Sequence, residues 1–244
     1  MITTWRDKSG FTLIEVVLVM IIMGILGGIA TMKFMSTSEA ARHQATQAEL
    51  EALAGAIIGN PAAYTAGARS DFGYVGDVGS LPPDLNALVA NPGYATWHGP
   101  YIKGDFAADD YTRDAWNGNY VYTDTLLRST GSGSNIDKIF APSRAALLSN
   151  MVSGVLYDAD QEIPGASHKD SLTVALIYPN GSGGQTTATA ALGSGGYFSF
   201  TGVPIGNHIL RVIYRPDTDT ITVSVCVTPG SRIKLDIVFP ADLW

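Results

Sequence analysis

Cysteine is nearly missing: one residue, Cys226, among 244. No disulfide can close within the chain, and a cysteine-cluster zinc site is excluded. A lone thiol of this kind packs as a small apolar side chain. Charge is scarce as well. Asp, Glu, Lys and Arg make up 15 % of the chain, against roughly 25 % for an average soluble domain. That is the reverse of a disordered composition. Positive charge is the scarcer sign: 15 Lys and Arg stand against 22 Asp and Glu, a net of −7. This balance excludes the basic footprint of a nucleic-acid binder.

Signatures of common chemistries are missing too. Gly193-Ser194-Gly195-Gly196 lacks the third glycine of a dinucleotide loop and leads into a strand pattern, and no phosphate-loop lysine motif occurs. Asp158-Ala159-Asp160-Gln161-Glu162 begins like a calcium loop, but Ile163 stands where the turn glycine belongs and Lys169 where the closing glutamate belongs. His43, His98, His168 and His208 have no spacing that suggests a shared metal or a triad. Asp105, Asp109, Asp110 and Asp114 read as a solvated acidic face. Asn180-Gly181-Ser182 fits a glycosylation sequon by pattern, and a turn by chemistry. With no catalytic constellation, an enzyme is not expected.

What is present is apolar and concentrated near the N-terminus. Residues 16–32 carry no charge, and residues 11–32 carry only Glu15. The run approaches the ~20 residues that cross a bilayer as a helix. It is apolar on every face, whereas a surface helix keeps a polar stripe. Arg6 and Lys8 precede it, but no Ala-x-Ala site follows, as a secretory signal would require. Glu15 stands out: a carboxylate at mid-depth of a membrane helix costs roughly 2.5–3.5 kcal/mol and is functional by default.

Beyond Lys33 the chain turns polar but keeps a stripe of Ala41, Ala45, Ala48, Ala52, Leu53, Ala56 and Ile57 at helical spacing. Gly59-Asn60-Pro61 is a stop signal. One helix over about 11–58 follows, roughly 70 Å long at 1.5 Å per residue. Gly24, Gly27 and Gly28 interrupt it. Each costs about 1 kcal/mol relative to Ala, which makes them the expected points of flexibility.

Residues 8–16, Lys-Ser-Gly-Phe-Thr-Leu-Ile-Glu-Val, resemble the cleavage and methylation signature of type IV pilins and type II secretion pseudopilins. The resemblance implies that 1–10 is a leader. A prepilin peptidase would cut between Gly10 and Phe11 and N-methylate Phe11. It also implies that Glu15 meets the N-terminal ammonium of a neighbouring subunit and sets register during assembly. Many members of that family carry Pro where Met32 stands, so here the glycines alone supply flexibility. Three later segments resemble the major pseudopilin of type II secretion: Ser-Leu-Pro-Pro-Asp-Leu-Asn-Ala-Leu-Val at 80–89, Trp-His-Gly-Pro-Tyr-Ile-Lys at 97–103, and Asp-Ala-Trp-Asn-Gly-Asn-Tyr-Val-Tyr at 114–122. Their aromatics are expected to pack a small sheet on the helix. Those proteins bind calcium in the loop that follows. The matching stretch, 123–137, retains Asp124 and Asp137 as candidate ligands, with Ser132 and Asn135 where further carboxylates belong.

After a linker at 142–150, a second module begins. Runs at 152–158, 172–178, 186–191, 197–200, 208–214, 220–227 and 232–238, separated by turn residues, predict a seven-stranded all-β sandwich. Ile221, Val223, Val225 and Val227 alternate with Thr222, Ser224 and Cys226, one face buried and one wetter. Gly196-Tyr-Phe-Ser-Phe-Thr-Gly-Val-Pro-Ile-Gly206 resembles the hallmark of carboxypeptidase-regulatory-like, transthyretin-like sandwiches over about 151–239. That implies a fold and no activity.

The expected fold is therefore α+β: a long helix packed on a small sheet within 11–141, then an all-β sandwich over 151–244. The resemblance implies a structural subunit that polymerises with itself. Its partners would be prepilin peptidase, an inner-membrane assembly platform and minor pseudopilins, with no nucleic acid. It would sit in a bacterial inner membrane with its C-terminal part in the periplasm, then in a periplasmic or extracellular filament. No cofactor is expected beyond calcium at Asp124 and Asp137. The alternative is a binding or adhesion module displayed on a filament stalk.

Overall fold

In the computed structural model, residues 12–102 and 110–244 are described. Helix α1 (Leu13–Ile58) runs without interruption. The chain divides after Ala45 into a first unit and a second one, Thr46–Trp244. In the first unit none of the described side chains is buried. In the second, Thr46, Leu50, Leu53, Ala54, Ala56 and Ile57 of α1 are buried. The alanine stripe read from the sequence is thus only partly the inner face: Ala41, Ala45, Ala48 and Ala52 are exposed. Leu50, Leu53 and Ile57 recur at spacings of three and four. They bury far more apolar area than alanines would, so they decide which face turns inward.

Gly59 ends α1 with φ +74°, and its N–H donates to the Gly55 carbonyl at 2.7 Å. A side chain there is barred twice over, by the left-handed backbone and by the Asp71 carbonyl, 2.5 Å from where a Cβ would sit. A two-residue hairpin follows, β1 (Tyr64–Thr65) with β2 (Ala68–Arg69), and then α2 (Gly73–Val78). Strands β3 (Val121–Thr123), β4 (Leu126–Ser129) and β5 (Ile136–Ile139) form an antiparallel sheet in that order. Tyr74, Leu88 and Leu127 join the α1 residues in one core. The stretch read as a linker carries a short helix, α3 (Arg144–Leu148). Ser143 caps it, accepting from the Ala146 N–H, and Leu147 is buried.

Eight strands complete the chain: β6 (Asn150–Tyr157), β7 (Leu172–Pro179), β8 (Gln185–Ala190), β9 (Tyr197–Val203), β10 (Gly206–Tyr214), β11 (Asp219–Val227), β12 (Arg232–Lys234) and β13 (Ile237–Val238). One sheet has the order β11-β10-β7-β8. In the other, β6 pairs antiparallel with β9 and parallel with β12 and β13. Inward residues of both sheets, among them Val152, Leu156, Leu176, Phe198, Leu210 and Phe239, share a second core. The run expected as one strand at 232–238 is split in two. At the break the Asp236 carboxylate accepts the Val155 N–H at 3.1 Å. The Leu235 carbonyl also occupies the place that a Cβ on Gly154 would need, so only glycine lets the chain pass.

Candidate assembly surface

Residue types on the first half of α1 leave little for the chain itself to bury. Leu13, Ile14, Met20, Met23, Met32 and Phe34 are all exposed, and the helix is long and apolar enough to cross a membrane. Apolar area on this scale, open on every side, requires lipid or other helices as its surroundings.

Glu15 sits in the first turn of α1, where the helix dipole favours a negative charge. Its N–H donates to the Thr12 hydroxyl at 3.4 Å and to the Thr12 carbonyl at 3.1 Å. Thr12-Leu13-Ile14-Glu15 thus has the spacing of a capping box, a local helix-start signal present in the sequence. The Glu15 carboxylate itself has no hydrogen-bond or ion-pair partner among the described residues. Gly10 and Phe11 lie outside the described residues. Gly24, Gly27 and Gly28 lie inside the regular helix, and a Cβ at any of them would meet nothing within 4 Å. Nothing among the described residues therefore requires glycine at these positions.

In the second unit the aromatic segments organise the small sheet. Tyr120 is buried and its hydroxyl donates to Glu49 of α1 at 2.5 Å; burial and that carboxylate push its pKa up. The Trp97 indole N–H donates to the Ala87 carbonyl at 2.8 Å. Tyr101 stacks edge-on against Trp97 and Tyr74 and donates to Asp77 at 2.9 Å. Burial raises the Asp77 carboxyl, against the lowering pull of Tyr101 and His98. Burial also pushes the Tyr74 hydroxyl up to about 12.

At Asp114 the expectation of a solvated acidic face is corrected, since it is 5 % exposed, while Asp105 and Asp109 lie outside the described residues. One carboxylate oxygen accepts the Gly118 N–H at 2.7 Å and the Trp116 N–H at 3.0 Å. The other accepts the Ser129 hydroxyl at 2.5 Å and the Gly131 N–H at 3.1 Å. Burial pushes this carboxyl up, but the four donors together outweigh it and hold the pKa below the usual range. Asp114 thereby pins the loop at 129–131 to the turn at 114–118, a role with no sequence signal beyond Asp preceding an Asn-Gly turn.

Asp124 and Asp137 are taken up by arginines. Asp137 accepts two hydrogen bonds from Arg128, both at 2.6 Å, and Asp124 pairs with Arg144 at 3.3 Å. Among the described residues no three His, Cys, Asp or Glu side chains gather as a metal site would need. Of the histidines, His208 is 1 % exposed. Its Nε2 lies 2.7 Å from the Pro204 carbonyl, and Nδ1 is buried without a partner. At 180–184 the turn reading holds: the Asn180 side chain accepts the N–H groups of Ser182 and Gly184.

Residues 5–31 match the family model of the prokaryotic N-terminal methylation motif. No curated protein matches the chain. Among solved structures, the chain is similar to the dioxygenase domain of a dioxygenase and carbohydrate-binding protein fusion from Streptomyces sp. SirexAA-E, at 12 % identity over 39 % of this chain and 82 % of that one, TM-score 0.28. It is similar to the Bacillus anthracis TIE protein at 11 % identity over 49 % and 24 %, TM-score 0.29. It is also similar to BcpA, the major pilin subunit of Bacillus cereus, at 10 % identity over 52 % and 42 %, TM-score 0.27.

Proposed function

We propose that this chain, type IV pilin-like in its N-terminal methylation segment, is the repeating subunit of a type II secretion pseudopilus or a related pilus. The observation that carries the reading is Glu15: one unpartnered carboxylate at the head of a helix that is otherwise uncharged through residue 32 and exposed on every side. A carboxylate left alone in an apolar medium needs a counter-charge. Cleavage between Gly10 and Phe11 creates one, an ammonium four residues before the acid. Within one helix that ammonium lies a turn away; between staggered helices it fixes the axial offset of one subunit against the next.

Before assembly the apolar half of α1 rests in the inner membrane, with the second unit on the periplasmic side. Prepilin peptidase removes residues 1–10 and methylates Phe11, and the assembly platform, with minor pseudopilins, draws the subunit into a helical polymer. Transfer from lipid to a bundle of like helices exchanges one apolar surrounding for another. Packing and the Glu15 pair, more than bulk hydrophobicity, therefore set the register. Gly24, Gly27 and Gly28 give α1 the local freedom that this move requires. Intact-mass measurement of the mature protein tests the reading. It should begin at Phe11 and carry the mass of one added methyl group; a chain that keeps residues 1–10 while forming fibres would end the proposal.

A further inference from the structure

One sheet of the sandwich, in the order β11-β10-β7-β8, ends in two strands that each pair on one side only among the described residues. Natural sheets blunt such edges with lysine, proline, bulges or short strands, because open N–H and C=O groups invite another chain. These two edges carry none of those devices. Strand β11 holds nine residues in unbroken register with β10, and its one charge is Asp219 at the start. Strand β8 holds six, all uncharged and free of proline and glycine. Two copies could therefore meet edge to edge without like charges facing each other, in a chain whose net charge is −7. The two edges also match. Neighbouring strands alternate in direction through the sheet, so β8 and β11 run opposite ways, as a further antiparallel pair requires. Ile221 and Val223 face the core from β11 yet stay half-buried, and Ala188 and Ala190 do the same from β8. On the outer face Thr222 and Ser224 of β11, and Thr187 and Thr189 of β8, are exposed. Edge against edge, small side chains lie beside large ones within and hydroxyls beside hydroxyls without, both favourable pairings.

We infer that β8 of one copy of this chain pairs antiparallel with β11 of the next, so that the sheet continues from subunit to subunit. Such a contact is head-to-tail and does not close on itself, the kind that builds an open polymer; the inference rests on the filament reading above. Thr222, Arg211, Ala175 and Thr189 form one row across the sheet, and Ser224, Ile209, Ile177 and Thr187 form the next. A copy displaced along these rows brings its Thr189 opposite Thr222 and its Thr187 opposite Ser224. A pairing of this length is smaller than the roughly 1,200 Å² that a stable interface buries. It acts between copies that their packed helices already hold at high effective concentration.

Filaments of the full-length protein carrying Cys226→Ser, Thr189→Cys and Thr222→Cys, oxidised after assembly, test it. Both threonines are exposed, so the variants keep the fold. Non-reducing gels should show a ladder of dimers, trimers and longer chains, because residues opposite each other on paired strands lie within disulfide reach. Either single-cysteine variant should stay monomeric. A charge pair checks the same contact without a crosslink. Thr189→Lys with Thr222→Lys should give about threefold less filament after shearing than Thr189→Lys with Thr222→Glu. Filaments that form normally but give no ladder would overturn the inference and leave the filament reading intact, as would equal yields from the two charge variants. If the unsubstituted protein forms no filaments, both readings fall.

Discussion

The Arg69 guanidinium donates to the Ile58 carbonyl at 2.6 Å, closing the C-terminal end of α1 from a residue eleven positions later. The same side chain donates to the Asp71 carbonyl at 2.8 Å and lies over the Phe72 ring, 4.4 Å from its centre. Burial lowers the Arg69 pKa, yet the group is held because it satisfies carbonyls that the helix end leaves open. Arg69→Met should keep the apolar volume and orphan the Ile58 carbonyl, costing about 2–4 kcal/mol. Chemical denaturation would show this as a lower midpoint; an unchanged midpoint would remove Arg69 from its capping role.

Glu15→Ala should leave stability of the second unit and membrane insertion unchanged, because the side chain is exposed and its carboxylate has no partner among the described residues. Insertion should if anything become easier, by up to about 3 kcal/mol. Filament yield after shearing should nevertheless fall by about tenfold or more, since the register contact is lost. Wild-type yield from the variant would refute the pairing.

Asp114→Asn replaces one carboxylate oxygen by an amide NH2 group. With that group on the Ser129 side, the Ser129 hydroxyl can turn to accept from it, but the Gly131 N–H is left facing a donor, and a loss of about 1–3 kcal/mol follows. The wild-type carboxyl is held low, so its stabilising contribution is fully present above the unfolded value near ~3.9 and is lost as pH falls through the folded value. Thermal melts between pH 5 and pH 2 should therefore show a steeper acid decline in the wild type than in the variant. Parallel declines would count against the role.

His208 has the opposite chemistry. Desolvation lowers its pKa, against a raising pull from the Pro204 carbonyl. The folded state thus prefers the neutral ring, and Tyr178 is its aromatic neighbour at 5.8 Å. The unfolded chain binds the proton more readily, so stability is complete above about pH 6.5 and is lost as pH falls below it, by at most about 1.4 kcal/mol per unit, until the folded pKa is passed. Melting temperatures from pH 8 to pH 5 should fall over that window in the wild type and stay flatter in His208→Gln. Equal slopes would exclude His208 as the source.

Much of the architecture is legible in the amino-acid order, because it is written in local spacing. An uncharged run of helical length, a Gly-Asn-Pro stop and strands of alternating polarity each depend on neighbours a few residues away. The observed α1 and the β6–β11 strands accordingly lie within a few residues of the expected ones. The methylation segment is also a contiguous peptide, and its match covers residues 5–31. Contacts between distant positions belong to the tertiary structure alone. Asp114 looks like one acid among several until Ser129 and Gly131 are brought to it. Leu50 outweighs the alanine stripe only once a core exists to receive it. Leu235 can break the last strand only where Gly154 makes room. Met151 and Ser231, eighty positions apart in sequence, meet in a backbone hydrogen bond because β12 pairs parallel with β6. Periodicity reports which face of an element is apolar. Which polar group ends up buried, and what satisfies it there, depends on partners that folding supplies.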